Sequence, residues 1–332
     1  MFDDKIVLIT GGTGSLGNAL TRKLLQTNVK TIRIFSRDEL KQIQMESQLK
    51  DKRLRFFIGD VRDKDRLSRA LEDVDIVIHA AALKHVPVAE YNPFEAVKTN
   101  VYGTQNLIDA CLDKGIESAL AIGTDKAVSP LNTYGATKLL MERMFISANY
   151  YKGNHKIKFF CVRYGNVLGS RGSVVPLFVD KIQSGKKITI TDPTMTRFNI
   201  TMNQALDLIF RALKHGSGGE VFVPKLKSYT VGDLKDVIME LMKSNTETEK
   251  MAVRPGEKYH ECLINKDEIR NTFETNEDYV IFEDQTQNHS LNIPNIRKTN
   301  IVTEYASNTV ELLNKDELKK ILLTENLVPI KK

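Results

Sequence analysis

The stretch KIVLITGGTGSLG (Lys5–Gly17) decides the fold. Its first half is a short apolar run, which is typical of a buried parallel strand. Its second half has the spacing G-x-x-G-x-x-G, and a helical apolar pattern begins at Ala19. Glycines placed between a strand and a helix let backbone amides approach a pyrophosphate at the helix N-terminus. The stretch therefore predicts a dinucleotide site, and a glycine turn without a ligand is the alternative.

Strand-like and helical patterns alternate from this stretch to about residue 165. Helical spacing is clearest over 93–113, where the amide of Asn100 either bridges to a neighbouring element or is a simple surface group. Strands that alternate with helices over short links predict an α/β fold with a Rossmann-type doubly wound parallel sheet. Short apolar runs predict its strands at 5–10, 31–35, 54–58, 75–79, 120–123 and 159–163.

The sequence changes character after residue 165, where loops rich in Gly, Pro and Arg replace the regular alternation. We therefore predict a nucleotide-binding domain over 1–165 and a smaller α/β domain over 166–332 that mainly binds the substrate. A strand near 220–223 is expected to return to the first sheet, so that the two domains interleave. Helices are predicted over 202–215 and 315–323, with polar connections from residue 266 to the last helix.

Composition excludes several classes of protein. Of 332 residues, 41% are hydrophobic and 27% are charged, values of an ordinary globular protein. The net charge of +6 indicates a lysine-rich surface or a basic cleft, and no basic run is interleaved with the aromatics that nucleic-acid binding needs. Cys111, Cys161 and Cys262 have no C-x-x-C spacing, and the histidines have no ligand spacing, so we expect no disulfide framework and no metal.

The same sequence predicts a soluble protein of the cytoplasm. Its N-terminus, Met-Phe-Asp-Asp-Lys, carries acids where a signal peptide needs a basic region. Apolar runs also fall short of the roughly 18 residues of a membrane span.

Residues at the ends of the predicted strands indicate which cofactor binds. Ser36 and Arg37 end the second strand, where Arg or Ser suits the 2′-phosphate of NADP and an acid suits NAD. Asp38 and Glu39 follow at once, but they can instead begin the next helix. Asp60 follows the third strand and either accepts from the adenine amine or caps a helix. The predicted cofactor set is Gly11, Thr13, Gly14, Ser15, Leu16, Gly17, Ser36, Arg37, Asp60, Val61, Ala80, Lys84, Tyr134, Lys138 and Val167.

The reactive groups are concentrated in TDKAVSPLNTYGATK (Thr124–Lys138). Asp125 and Lys126 follow the fifth strand, at the carboxyl edge where ligands bind in open α/β sheets. Tyr134 and Lys138 are four residues apart, so they share one face of a helix. An ammonium beside a phenol lowers the pKa of the phenol, which prepares the tyrosine to act as a base. We interpret the stretch as one that oxidises a sugar alcohol and then eliminates water from it.

Three arginines stand in Gly- or Pro-containing loops after residue 165: Arg171, Arg197 and Arg254. Each alone is as consistent with a solvated charge as with a ligand. Together in one domain they favour diphosphate binding, because guanidinium groups bind phosphate oxygens in a bidentate way.

These motifs resemble those of the extended short-chain dehydrogenase/reductase superfamily and, within it, the UDP-N-acetylglucosamine 4,6-dehydratases. The resemblance covers residues 3 to about 325 and is strongest to the 5-inverting enzymes that begin pseudaminic acid synthesis. A capsule-sugar branch is similar, but its members can lack the tyrosine kept here as Tyr134. Retaining, membrane-anchored relatives carry an N-terminal transmembrane region, which we do not expect in this protein. The shared motifs are SRDE (36–39), AALKHVP (81–87), TDKA (124–127), RYGNV (163–167), SRGSVVP (170–176), MTRF (195–198) and RPGEK (254–258).

The resemblance implies a mechanism and a cofactor. Tyr134, helped by Lys138, would take the 4-hydroxyl proton while hydride passes from C4 to a tightly bound NADP that each turnover regenerates. Lys126 would remove the C5 proton as a neutral amine, and Asp125 would protonate the departing 6-hydroxyl. Many related dehydratases have a glutamate where Lys126 stands, and this departure is linked to inversion at C5. Thr124 would hydrogen-bond the sugar or the tyrosine.

The resemblance also implies UDP-N-acetylglucosamine as substrate and a homo-oligomer, dimer-based or hexameric. The alternatives are a UDP-sugar 4-epimerase, a retaining 4,6-dehydratase and a catalytically silent NADP-binding regulator, and the downstream pathway stays open between pseudaminic acid, capsule and other deoxysugars. The predicted substrate set is Lys84, Asn166, Arg171, Ser173, Arg197, Arg254 and Glu257.

Overall fold

A ten-stranded sheet forms the centre of the protein in this computed structural model, which describes residues 1–283 and 293–329. The strands of the protein are β1 (Ile6–Thr10), β2 (Thr31–Ser36), β3 (Leu54–Ile58), β4 (Ile76–His79), β5 (Ser118–Ile122), β6 (Lys158–Val162), β7 (Ile188–Ile190), β8 (Thr196–Phe198), β9 (Glu220–Pro224), β10 (Ser228–Thr230), β11 (Thr248–Lys250), β12 (Cys262–Ile264), β13 (Thr272–Glu274), β14 (Asp278–Phe282), β15 (Arg297–Lys298) and β16 (Tyr305–Ala306). The strand order in the ten-stranded sheet is β15-β13-β14-β9-β6-β5-β4-β1-β2-β3.

Helices cover both faces of this sheet. A π-helical turn over Lys98–Tyr102 joins α5 to α6, and a 3₁₀ turn over Asp125–Ala127 follows β5. The helices are α1 (Ser15–Leu24), α2 (Glu39–Leu49), α3 (Lys64–Ala70), α4 (Val86–Tyr91), α5 (Pro93–Val97), α6 (Gly103–Lys114), α7 (Thr133–Tyr151), α8 (Val174–Gln183), α9 (Met202–His215), α10 (Val231–Leu241) and α11 (Lys315–Thr324).

Seven neighbouring strands, from β3 to β9, run parallel, and the fold prediction of a doubly wound parallel sheet is confirmed. Val7 to Ile9 of β1 are fully buried, as expected for a strand with helices on both faces. One apolar cluster lies on each face of the sheet. The carboxyl ends of the parallel strands lie side by side, and the site described below is located at these strand ends.

The chain after residue 165 contributes to this sheet and also packs separately. β9 lies beside β6 in the parallel part. A third apolar cluster is built from α8, α10 and α11, outside the two clusters of the sheet. The division at residue 165 stays a prediction, and residues 284–292 and 330–332 of the second range lie outside the described residues.

The prediction of polar connections after residue 266 is wrong. Two strands, β13 and β14, add to the sheet edge in antiparallel fashion. β14 begins with Asp278, which is buried against Arg211 at 2.6 Å, and continues as the apolar run 279–282, a strand signal that the prediction overlooked. β13 has only the residues Thr272–Glu274, too few to show an alternating pattern.

No helix in the described part of the chain combines the length and apolarity needed to cross a membrane.

Candidate active site

At the glycine turn after β1, a ligand can approach the backbone amides closely. Gly11 has φ +66°, and a Cβ there would lie 2.9 Å from the Cα of Ala81. A Cβ on Gly17 would lie 2.4 Å from the carbonyl oxygen of Gly12, so α1 packs directly on the turn. Gly14 is the N-cap of α1 and has no side chain to occupy the first amides. The turn thus fits a pyrophosphate bound at a helix N-terminus.

The end of β2 presents a cation rather than a free acid. The Asp38 carboxylate caps α2 by accepting from the amide of Lys41 at 3.0 Å. The buried Ser36 hydroxyl accepts from Gln42 at 3.0 Å. Arg37 is largely exposed, and its guanidinium lies 3.6 Å from Asp60. Arg37 is therefore the charged group of this strand end that is most open to a ligand.

Asp60 lies in a turn and does not cap a helix, so the capping role that the sequence left open for it is wrong. Asp63 caps α3 by accepting from the amide of Arg66 at 2.9 Å. Burial favours the neutral acid at Asp60, but hydrogen bonds from Arg62 outweigh it and lower the pKa of Asp60. Asp60 is thus an anion beside Arg37.

Side-chain hydrogen bonds hold the end of β4 beside the glycine turn. Asn100 accepts from the amide of Leu83 at 2.8 Å and donates to its carbonyl at 3.0 Å and to Thr137 at 2.9 Å, so it joins the π-helical turn to α7. His79 is buried between the hydroxyls of Thr10 and Thr104. Burial, reinforced by Lys138, lowers the pKa of His79 to about 3, so the ring is neutral and structural.

The 3₁₀ turn after β5 and a distant segment meet around the ammonium of Lys126. Its Nζ lies 3.0 Å from Asp125 Oδ1 and 3.1 Å from Glu261 Oε1, and it donates to Asn166 Oδ1 at 3.3 Å. Thr124 donates to Asp125 Oδ1 at 3.0 Å. Asp125 and Glu261 are almost fully buried, with 1% and 3% exposure.

Glu261 was not predicted. It leads into β12, more than a hundred residues from Lys126 in the chain. Its amide donates to Ser307 Oγ at 2.9 Å, and its carbonyl accepts from the Ser307 amide at 2.7 Å. The only sequence signal is an acid that precedes the apolar run Cys262–Ile264 and follows the predicted RPGEK loop.

The three charges set one another's protonation. Burial disfavours the ammonium, but the carboxylates of Asp125 and Glu261 outweigh it and raise the pKa of Lys126. Burial, together with the Glu261 carboxylate, raises the pKa of Asp125. Burial also favours the neutral acid at Glu261, but the charges of Lys126 and Arg197 outweigh burial and lower the pKa of Glu261. Without a ligand, the cluster therefore favours Lys126 as an ammonium and Glu261 as a carboxylate. The neutral Lys126 that is expected beside a cationic nicotinamide stays a prediction.

Tyr134 and Lys138 share one face of α7. Lys138 was expected to lower the pKa of Tyr134, but its ammonium contacts another group. Burial raises the pKa of Tyr134, against the opposing effects of the Lys126 ammonium and a hydrogen bond with Thr124. Lys138 instead donates to the carbonyl of Ile122 at 2.5 Å, and burial lowers the pKa of Lys138 to about 8. The cation that favours the Tyr134 phenolate here is Lys126.

Three of the predicted substrate residues come together near Lys126, on whose pKa the charge of Arg197 acts. Arg197 is buried, and it donates to the carbonyl of Tyr259 at 3.0 Å and lies 3.7 Å from Glu257. Glu257 accepts from the Arg254 amide at 3.3 Å, which puts Arg254 on the same turn. Asn132 at the start of α7 donates to Gly256 at 2.9 Å, so this turn lies beside the catalytic stretch.

Arg171 and Lys84 lie at the glycine turn, and a contact of Arg171 with UDP stays a prediction. The Arg171 guanidinium donates to the Thr13 carbonyl at 2.6 Å, and its amide donates to Ser15 Oγ at 3.2 Å. Lys84 donates to the Arg171 carbonyl at 3.1 Å. Ser173 follows as the N-cap of α8, and its buried hydroxyl has no partner among the described residues. Of the remaining predicted cofactor residues, Val61 packs against Gly103, and Ala80 and Val167 form backbone contacts near the strand ends.

Comparison with known proteins places the chain among sugar-modifying relatives. Residues 7–283 match the model of a family described as polysaccharide biosynthesis protein. An inverting UDP-N-acetylglucosamine 4,6-dehydratase of Campylobacter jejuni is 46% identical over 299 residues, 88% of each chain. A UDP-glucose 4-epimerase of Rickettsia rickettsii is 38% identical over 334 residues, 99% of this chain and 98% of that protein.

Solved structures agree with this placement. The X-ray structure of Pen from Bacillus thuringiensis superposes with a TM-score of 0.94 at 41% identity, over 99% of this chain and 100% of that one. The dTDP-glucose 4,6-dehydratase DesIV of Streptomyces venezuelae, solved with NAD and TYD bound, has a TM-score of 0.71 at 23% identity, over 76% and 86% of the two chains. The second likeness shows the fold alone.

Proposed function

Because this chain belongs to the polysaccharide biosynthesis protein family, we propose that it is an inverting UDP-N-acetylglucosamine 4,6-dehydratase. The product is a UDP-2-acetamido-2,6-dideoxy-4-hexulose with the configuration at C5 inverted. The observation that carries the proposal is the buried Asp125–Lys126 pair, 3.0 Å apart, at the same sheet edge as Tyr134. This pair gives the site an acid and a base beyond the tyrosine that oxidation alone requires.

The first step uses the glycine turn and the tyrosine. The glycine turn would hold a nicotinamide cofactor, which would supply the hydride-acceptor and hydride-donor chemistry of the reaction. Tyr134 takes the proton of the 4-hydroxyl. Burial disfavours the phenolate form of Tyr134, and the Lys126 ammonium favours it, so Lys126 assists this transfer.

The second step is the elimination of water. The 4-keto group acidifies the C5 proton, and Lys126 removes it once Lys126 has become a free amine. Asp125 gives its proton to the 6-hydroxyl, the C6–O bond breaks and water leaves. The raised pKa of Asp125 suits a group that must hold a proton until the leaving group needs it.

NADP is proposed as the cofactor in preference to NAD. The support comes from the end of β2. The Asp38 carboxylate caps a helix, so the exposed Arg37 is the charged group at the position that meets a 2′-hydroxyl in NAD or a 2′-phosphate in NADP. Arg171 and Lys84 add positive charge at the glycine turn, so we assign both to the cofactor phosphates. Arg197, Arg254 and Glu257 remain the proposed contacts of the UDP moiety. A homo-oligomer, a cytoplasmic location and a role in pseudaminic acid or capsule synthesis stay predictions.

A 4-epimerase is the second candidate, favoured by the name of the Rickettsia relative. It would use Tyr134 and Lys138 but would not need Asp125 and Lys126 as an acid–base pair. Incubation with UDP-N-acetylglucosamine followed by mass spectrometry separates the two, because dehydration removes one water and epimerisation leaves the mass unchanged. A product of unchanged mass would refute the proposal.

A further inference from the structure

We propose that Asn132 is a positioning residue that couples the turn at 254–258 to the catalytic stretch (124–138), so that UDP bound at that turn helps to place the reactive side chains against the sugar. The inference rests on the proposed function, which assigns Arg254 and Glu257 of this turn to UDP. Asn132 itself contacts neither the substrate nor the cofactor in that proposal.

The two ends of the Asn132 amide hold different parts of the protein. Its Oδ1 accepts from the backbone amide of Gly135 at 2.8 Å, which makes Asn132 the N-cap of α7. Its Nδ2 donates to the carbonyl of Gly256 at 2.9 Å. Among the side chains that cap helices well, only that of asparagine has its acceptor and its donor on separate atoms. This residue type is therefore suited to hold both groups at once.

The turn approaches Asn132 at a distance that only glycine allows. Gly256 has φ +74°, and a Cβ there would lie 2.7 Å from the Cβ of Asn132 and 3.0 Å from the carbonyl oxygen of Leu131. A second hydrogen bond joins the same two segments, since Lys258 Nζ donates to the carbonyl of Val128. Backbone packing and two hydrogen bonds thus tie the turn to the segment that precedes α7.

The capped end of α7 packs directly on the turn that carries Lys126. A Cβ on Gly135 would lie 2.2 Å from the carbonyl oxygen of Lys126, so the first turn of α7 and the 3₁₀ turn after β5 are in backbone contact. Tyr134 precedes Gly135 in the same helical turn. A shift of Gly256 would therefore act through Asn132 on Gly135, and from there on both reactive residues.

Contacts to UDP involve no reacting atom, so they can raise kcat only by placing the reacting groups. A misplacement of about 1 Å can cost about 100-fold in rate. If Arg254 acts in this way, its loss lowers kcat as well as raising KM. Without the Asn132 donor, the turn can still bind UDP, but its position no longer constrains α7.

A double-mutant cycle of Asn132→Asp and Arg254→Ala tests the inference with UDP-N-acetylglucosamine as substrate. In the wild-type background, we expect Arg254→Ala to raise KM and to lower kcat by about tenfold or more. Asn132→Asp keeps the cap and loses the donor, so kcat should fall by about 10–100-fold, while the midpoint of urea unfolding is unchanged. In the Asn132→Asp background, Arg254→Ala should raise KM by the same factor and leave kcat as it was.

Two further variants separate coupling from charge and from capping. Asn132→Ser keeps a cap without adding a charge, so it should lower kcat as Asn132→Asp does, and it carries the cycle if the aspartate variant does not fold. Asn314→Asp makes the same change at the N-cap of α11, where Asn314 accepts from the Glu317 amide at 2.9 Å. This control should leave kcat and KM unchanged.

Three results overturn the inference: a wild-type kcat in both Asn132 variants, an unchanged kcat in Arg254→Ala alone, or an equal loss of kcat from Arg254→Ala with and without the Asn132 donor. The mass of the product tests the proposed function separately. A product of unchanged mass refutes dehydration, and the kinetic cycle still decides the role of Asn132, because it can be read from any turnover of the substrate.

Discussion

Replacing Lys126 with methionine is the perturbation whose effect can be worked out most fully. Methionine has similar length but neither charge nor donors. The ammonium contacts Asp125 at 3.0 Å, Glu261 at 3.1 Å and Asn166 at 3.3 Å, and all three contacts are lost. The variant has no base at C5, and Tyr134 loses the cation that favours its phenolate.

The size of the effect follows from these two losses. A positioned acid–base group contributes roughly 10²–10⁴ in rate, which is about 3–5 kcal/mol of the barrier. Since Lys126 serves both the elimination and the tyrosine, we expect the upper half of that range for kcat. UDP affinity should change by less than about threefold, under 1 kcal/mol, because the proposed UDP contacts at Arg197 and Arg254 are intact.

The assay follows the product by mass spectrometry and UDP binding by calorimetry in the same preparation. The matched control is Lys225→Met, which removes a lysine that follows β9 and is also paired with a buried glutamate, Glu274 of β13, at 2.9 Å. The control should keep its kcat. A Lys126→Met enzyme that dehydrates within tenfold of the wild-type rate would refute the assignment of Lys126.

Three further predictions concern cofactor choice and stability. Arg37→Ala should weaken NADP binding by about 10–100-fold, from the loss of a charged hydrogen bond, and leave NAD binding unchanged in fluorescence titrations; an equal loss for both would contradict the 2′-phosphate assignment. Arg163→Met should lower the free energy of unfolding in urea by about 3–5 kcal/mol, because it strands the buried Glu142 and Glu268, whereas Arg143→Met at the surface should cost under about 1 kcal/mol. The pKa of His79 is about 3 in the folded protein, so below about pH 6.5 the unfolded chain binds a proton that the folded chain does not. The free energy of unfolding therefore decreases as the pH is lowered below about 6.5, by up to about 1.4 kcal/mol per pH unit. His79→Gln should flatten that slope between about pH 6 and pH 4, and an unchanged slope would show that His79 is not its source.

Most of the sheet could be predicted because its central strands are buried on both faces. β1, β4, β5 and β6 are mostly apolar runs, and the glycine turn and α1 follow β1 directly in the chain. Local chemistry of this kind is readable from one sequence. The catalytic stretch was predictable for the same reason, since Asp125, Lys126, Tyr134 and Lys138 lie within fifteen residues.

The parts that sequence reasoning missed depend on contacts across the chain. Glu261 reaches Lys126 only because β12 pairs with β16 and Ser307 holds the backbone. Its carboxylate helps to keep Lys126 charged when no ligand is bound, since the two carboxylates outweigh burial. The direction of Lys138 toward Ile122, and the position of Arg171 at the glycine turn, likewise depend on packing that spacing does not encode.

The measurement that tests the central claim most directly is NMR of the product formed from UDP-N-acetylglucosamine in deuterium oxide. If Asp125 and Lys126 carry out an inverting dehydration, the product has a methyl group at C6, one deuterium at C5 and the inverted configuration at C5. A product with the original C5 configuration would contradict inversion. A product that keeps its 6-hydroxyl and has changed only at C4 would contradict dehydration itself.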